Sequence, residues 1–118
     1  MELCNHDHDH EETVHQAKIH AMSEEDLQTI CSVFKVISEP SRMRIILALM
    51  EGELCVYHIV EAVEGTQSAV SHQLRILKDN KIIRARRDGK NIVYSIADEH
   101  ILNIIKMSRQ HLHCEVSE

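Results

Sequence analysis

Four residues near the end of the chain have the side chains and the spacing of a metal site. Asp98 and His100 stand at the expected start of a helix, and His111 and Cys114, three residues apart, share one face near its end. Carboxylate oxygen, imidazole nitrogen and thiolate sulfur are all zinc donors, and the mixed set suits a tetrahedral, borderline-soft ion. His100 and His111 are 11 residues apart. That is about 16 Å along a helix at ~1.5 Å per residue, whereas donors around one zinc lie only ~2 Å from the metal. One copy of the helix cannot close the site. Two antiparallel copies can, because the start of one then faces the end of the other, and a symmetric dimer carries two equivalent sites. On the residues alone a plainer arrangement stands beside this one: Asp98 caps the helix, His100 is solvated, and the tail from His111 to Cys114 is frayed.

A second constellation is looser. Cys55 and His58 are three apart on another expected helix, and the N-terminal stretch offers Cys4 and His8 together with His6 and His10. A Cys/His site shared by a helix and an arm favours soft or borderline ions. Its alternative is a small core cysteine beside a disordered arm. Cys31 falls on an apolar helix face and reads as core. His10-Glu11-Glu12-Thr13-Val14-His15 lacks a second histidine four residues after the first, so it is no metalloprotease motif. There is no phosphate loop, nucleophile elbow or Cys-x-x-Cys, so neither an enzyme nor a small-molecule organic substrate is expected.

A third set points to nucleic acid. Gln67, Ser68, Ser71, His72, Gln73 and Arg75 lie on the polar side of one expected helix. Short hydroxyls, amides and an arginine are the groups that read base edges and grip phosphates in a major groove. Arg84 and Arg86 share a face of a following strand, with Arg87 and Lys90 beside its turn, a basic wing suited to a phosphate backbone or minor groove. A solvated charged hairpin is the bland alternative.

The elements that must position these groups are legible in outline. Residues 1–22 form a His- and acid-rich arm without an apolar period, expected to be mobile and without fixed structure, and residues 23–118 form one domain. Ser23 caps a helix whose Leu27, Ile30, Cys31 and Phe34 recur on one face, expected to be buried. Pro40 starts the next helix, with Met43, Ile46, Leu47 and Met50 facing inward. Val56, Ile59, Val60 and Val63 mark a third helix, Glu64-Gly65-Thr66 a turn, and Val70, Leu74 and Leu77 the buried side of a fourth. Asp88-Gly89 between two strand-like runs predicts a hairpin. A last helix from about Asp98 to Cys114 carries a stripe of Ile101, Ile104, Ile105, Ser108 and Leu112. The fold expected is mainly α with a small β-hairpin: a winged helix-turn-helix, homodimeric, with a C-terminal dimerisation helix.

Composition agrees. The chain has 118 residues, 43% hydrophobic and 27% charged, with 3 Gly and 1 Pro, which fits one helix-rich domain. Its longest apolar run, Ile45 to Met50, is far short of the ~20 residues of a membrane span, and the N-terminus has no signal-peptide pattern, so a cytoplasmic, membrane-free protein is expected. Ten His and four Cys in such a chain favour metal or redox chemistry over a disulfide scaffold. With only Phe34, Tyr57 and Tyr94 aromatic, base-stacking platforms for single strands are excluded. The net charge of −6 hides a split: residues 1–12 carry five acids and no Lys or Arg, whereas residues 75–90 carry seven bases against two acids.

Three stretches together resemble the ArsR/SmtB family of bacterial metal-sensing repressors: Glu53-Leu54-Cys55-Val56, Ser68 through Lys78 (SAVSHQLRILK), and Gly89 through Ile96 (GKNIVYSI), with Glu39-Pro40-Ser41-Arg42 adding to them. The resemblance spans roughly residues 24–115. It implies a homodimer that binds double-stranded operator DNA when metal-free and lets go on binding metal, switching on efflux or sequestration genes. It implies a site on the final helix from Asp98 and His100 of one subunit with His111 and a fourth ligand of the other; Cys114 stands at that fourth position, with Glu115 as the alternative. Zinc is the ion implied, with cadmium, cobalt or nickel as others. It also places Cys55 and His58, with Cys4 and His8, at the family's second site. Tyr57 stands where related thiolate sensors carry another cysteine, so arsenite sensing is not expected. Two rivals come from other classes: a winged-helix regulator responding to oxidation of Cys55 or Cys114, and a His-rich metal buffer.

Overall fold

The computed structural model describes the backbone of residues 7–114 and the side chains from His10 onward. The elements run α1 (Asp7–Ile19), α2 (Glu24–Ile37), α3 (Pro40–Leu49), β1 (Leu54–Cys55), α4 (Val56–Val63), α5 (Gln67–Asp79), β2 (Ile83–Asp88), β3 (Asn91–Ile96) and α6 (Glu99–Cys114). The chain divides inside α2 into two units, residues up to Ser32 and residues from Val33.

In the first unit, α1 departs from the expectation of an arm without fixed structure. Residues Asp7–Ile19 are helical although they show no apolar stripe. Glu11, Glu12, Gln16, Ala17 and Lys18 are good helix formers, and Gln16 Nε2 donates to Glu12 Oε1 one turn earlier at 3.1 Å. Helix α2 starts as its sequence predicts. Ser23 Oγ accepts from Asp26 N at 3.1 Å, and Glu24, Glu25 and Asp26 oppose the positive end of the helix dipole.

The second unit is built round one apolar core. Ile37 from α2, Ile45, Ile46 and Leu49 from α3, Ile59 from α4, Val70, Leu74 and Leu77 from α5, Ile82 and Ile83, and Ile101 and Ile105 from α6 are all buried. Two expectations of burial are corrected here. Leu27, Ile30, Cys31 and Phe34 of α2 are exposed, while Val33, Val36 and Ile37 face the core. On α6 the stripe is buried only through Ile105; Ser108 and Leu112 are exposed. Periodicity identifies an apolar face but not what covers it.

Helix α3 begins with Glu39, whose carboxylate accepts from Arg42 N at 3.1 Å, followed by Pro40, whose missing N–H costs nothing there. The N–H of Ser41 and that of Arg42 hold the Glu39 carboxyl below the usual carboxylate range. The sheet has order β1-β3-β2, all antiparallel. Strand β1, absent from the sequence expectation, pairs Leu54 with Tyr94 and Cys55 with Val93. Strands β2 and β3 pair from Ile83↔Ile96 to Asp88↔Asn91 and leave Gly89 and Lys90 as a two-residue turn. Gly89, at φ +64, supplies the left-handed first position that such a turn requires. The order α4, turn, α5, β2–β3 hairpin, α6 is the expected winged helix-turn-helix with a terminal helix. Among the described residues no helix is long and apolar enough to cross a membrane.

Candidate functional site

The helix-turn-helix is fixed by its turn. Helix α4 ends with Glu64 in the left-handed region (φ 54, ψ 42), and Gly65 N donates back to Val60 O at 3.2 Å. A Cβ on Gly65 would lie 3.2 Å from Val70 Cγ2 and 3.5 Å from Val63 Cγ2, so this glycine gives the two helices room to approach. Thr66 then caps α5, its Oγ1 accepting from Ala69 N at 3.2 Å. With Val70, Leu74 and Leu77 buried, the opposite side of α5 is set. Gln67, Ser68, Ser71, His72 and Arg75 are all exposed on it. Gln73 differs: it is half-buried, and its Oε1 accepts from Arg42 Nε at 2.9 Å. Helix α5 closes like α4, with Lys81 left-handed (φ 61) and Ile82 N donating to Leu77 O at 3.0 Å.

The wing carries Arg84, Arg86, Arg87 and Lys90, all exposed, with Lys90 at its tip. Arg86 is engaged: its Nη2 donates to Glu53 Oε1 at 2.8 Å and its Nε to Oε2 at 3.4 Å. The hydrogen bond and the charge of Arg86 hold the Glu53 carboxyl below its ordinary range and raise Arg86 in turn. Arg84 Nε lies 3.4 Å from Ser95 Oγ across the hairpin. No contact was expected for Glu53 or Arg42, and β1 was not foreseen; Glu53 lies 33 residues from Arg86 and Arg42 lies 31 from Gln73, and no local pattern announces such pairs.

Asp98 and His100 come together at the start of α6. Asp98 Oδ1 accepts from His100 N at 2.8 Å and from Ile101 N at 3.3 Å, and it lies 3.3 Å from His100 Nδ1. The carboxylate therefore caps the helix and neighbours the imidazole at once, and its second oxygen adds another donor atom. The His100 side chain is 94% exposed. His111 and Cys114 are exposed in the last turns of α6, with Cys114 a free thiol. Among the described residues no three His, Cys, Asp or Glu side chains of one chain gather as a metal cage. That matches the length of α6, which separates the two pairs by about three turns. The donor chemistry of O, N, N and S fits zinc once two helices combine. Glu115 lies outside the described residues.

At the second constellation, Cys55 Sγ and His58 Nδ1 are 3.3 Å apart. Cys55 is not on the helix with His58: it ends β1 and is the N-cap of α4, because its backbone pairs with Val93. Cys4 and the side chain of His8 lie outside the described residues.

Comparison with known proteins agrees with the winged helix-turn-helix fold. The family model for bacterial regulatory protein, arsR family, matches residues 39–85, from the cap of α3 into β2. The transcriptional repressor SmtB homolog of Synechocystis sp. is 39% identical over 112 residues, covering 95% of this chain and 85% of that protein. The cadmium resistance transcriptional regulatory protein CadC homolog of Staphylococcus aureus is 32% identical over 111 residues, covering 93% and 91%. Among solved structures, the AntR antimony-specific transcriptional repressor superposes with a TM-score of 0.73 at 32% identity, covering 81% of this chain and 87% of that one. With that family model matched and a repressor homolog similar nearly end to end, this chain is a member of the arsR family of bacterial regulatory proteins.

Proposed function

We propose that this protein is a metal-responsive transcriptional repressor of the cytoplasm that grips operator DNA as a metal-free homodimer and is released by zinc. The observation that carries the DNA half is the exposed row Gln67, Ser68, Ser71, His72 and Arg75 on a capped helix, directly beside a basic hairpin. That pairing supports α5 in the major groove, with Arg86, Arg87 and Lys90 on the flanking backbone. The dimer is supported by apolar surface that one copy leaves open: Leu27, Ile30 and Phe34 on α2, and Met107 and Leu112 on α6, the last two 67% and 66% exposed.

The metal half rests on the donor set and on the relatives named for cadmium resistance and antimony specificity. Asp98 and His100 of one protomer would hold the ion with His111 and Cys114 of the partner subunit, Glu115 being the alternative to Cys114. Bound there, zinc supplies a bridge between two α6 helices. Cadmium is the next candidate because of the thiolate, followed by cobalt and nickel. Cys55 and His58, with Cys4 and His8, form the proposed second site. If the bridged dimer spaces its α5 helices wrongly for successive grooves, metal and DNA oppose each other with a coupling of ~1–3 kcal/mol.

The test is fluorescence anisotropy of the upstream promoter duplex at fixed salt, titrated with zinc and then chelator. Binding that zinc weakens about tenfold or more, reversed by chelator, is the expected result. Tight binding indifferent to zinc would refute zinc release and redirect the search to thiol-seeking metals or oxidation. Absence of binding would favour a metal buffer.

A further inference from the structure

We propose that Arg42 and Gln73 form a positioning strut that sets the pose of the recognition helix, and that Gln73 serves DNA binding through Arg42 instead of reading a base. The inference rests on the DNA-binding reading of α5 given above. One guanidinium joins three elements. Arg42 Nε donates to Gln73 Oε1 in the middle of α5 at 2.9 Å, and Arg42 Nη1 donates to Val36 O in the last turn of α2 at 3.0 Å. Its own backbone N–H is held by Glu39 at the start of α3 at 3.1 Å.

Each contact meets a need. The last four carbonyls of a helix lack partners within it. In α2, Ser38 N covers Phe34 O at 2.9 Å and Ser38 Oγ covers Lys35 O at 3.0 Å, while Val36 O receives Arg42. A cation there also suits the negative end of the dipole. The guanidinium is planar and donates only, so it fixes which end of the Gln73 amide faces it: the oxygen. Reading adenine with two hydrogen bonds needs both the oxygen and the nitrogen of a glutamine. The Gln73 oxygen keeps a second lone pair, but it is held against Arg42 at a half-buried position, so squaring the whole amide to an adenine edge competes with the strut. Its half-buried position, between exposed His72 and exposed Arg75, agrees. Because Val36 lies two residues after exposed Phe34 on α2, the strut also connects a candidate dimer face to the DNA-reading helix.

The experiment is operator binding across a salt series, with and without zinc, for Arg42→Gln, Gln73→Met and the double variant. The expected result is a loss of about tenfold for each single variant and no further loss for the double. The slope of log K against log salt, the preferred base at every operator position and the zinc affinity stay unchanged. A slope lowered by about one in Arg42→Gln would mean a phosphate contact and overturn the strut. A base preference relaxed at one position in Gln73→Met, or additive losses, would overturn it too. If Arg42→Gln does not fold by circular dichroism, Gln73→Met decides alone, since a tenfold loss without change of base preference is still required. Failure of the wild-type chain to bind would overturn the repressor reading and the strut with it; wild-type binding with any of the contrary variant results overturns the strut only.

Discussion

If each metal site draws Asp98 and His100 from one protomer and His111 and Cys114 from the other, two disabled proteins must partly repair each other when mixed. His100→Ala breaks both sites of its homodimer, and so does His111→Ala. In a mixed dimer, one site receives both defects. The other receives His100 from the His111→Ala chain and His111 from the His100→Ala chain, and is intact. Equal, random mixing makes half the dimers mixed, so about one quarter of all sites recover, or about one tight zinc for every two dimers. The geometry that forces this is the ~16 Å between the two histidines along α6. The assay is zinc competition against a chromophoric chelator, with Cys55→Ser in every chain to silence the proposed second site, on each variant alone and after joint unfolding and refolding. Each variant alone is expected to lose more than the ~10–100-fold that loss of an outer partner of a ligand costs. No recovery on mixing would refute the shared site, and full affinity in either variant alone would remove that histidine from it.

Four further outcomes follow from the structure described above. Glu64→Gly and Lys81→Gly each relieve a left-handed non-glycine residue, so each raises stability by about 1 kcal/mol in urea unfolding, whereas Glu61→Gly, inside α4, lowers it by a similar ~1 kcal/mol. Glu53→Gln frees Arg86 and removes a nearby negative charge; nonspecific DNA binding strengthens, and its salt slope steepens by up to about one. Because the folded Glu53 carboxyl titrates below its unfolded value, the Glu53–Arg86 pair stabilises the fold above the ordinary carboxylate range. That contribution is lost as pH falls through the folded value, so acid unfolding of Glu53→Gln should lack this component. Finally, Leu112→Glu places a charge on the exposed end of the α6 stripe, and sedimentation should show monomers that no longer bind operator.

What was legible beforehand was what local chemistry dictates. Ser23 and Pro40 mark helix starts because such signals act within one turn, and Asp88-Gly89 marks the hairpin because the turn itself demands a left-handed residue. Asp98 and His100 could be paired from sequence since they are two residues apart. Strand β1 could not, since two residues show no period and their partners, Val93 and Tyr94, lie far along the chain. Nor could the commitment of Gln73 to Arg42, 31 residues away. The exposed faces of α2 and α6 misled for a different reason: an apolar stripe has the same spacing whether its cover is the chain's own core or another molecule. Helix α1 failed the periodicity criterion because its turns are held by local pairs and propensity.

Strand β3 has a mechanical consequence. It is paired with β2 along its length and with β1 as well at Val93 and Tyr94, so its middle bends less readily than a free hairpin arm would. One of its ends is the wing tip beside Lys90, and the other hands over to Asp98 through Ala97 alone. Six residues at ~3.4 Å each make a lever of about 20 Å, and a tilt of about 5° at the start of α6 becomes nearly ~2 Å of sideways travel at the tip. If the ion reaches α6 while the wing lies on DNA, such leverage would loosen the grip in place, and the delay of the response would be set by the arrival of the ion and not by how long the protein would otherwise dwell on its operator.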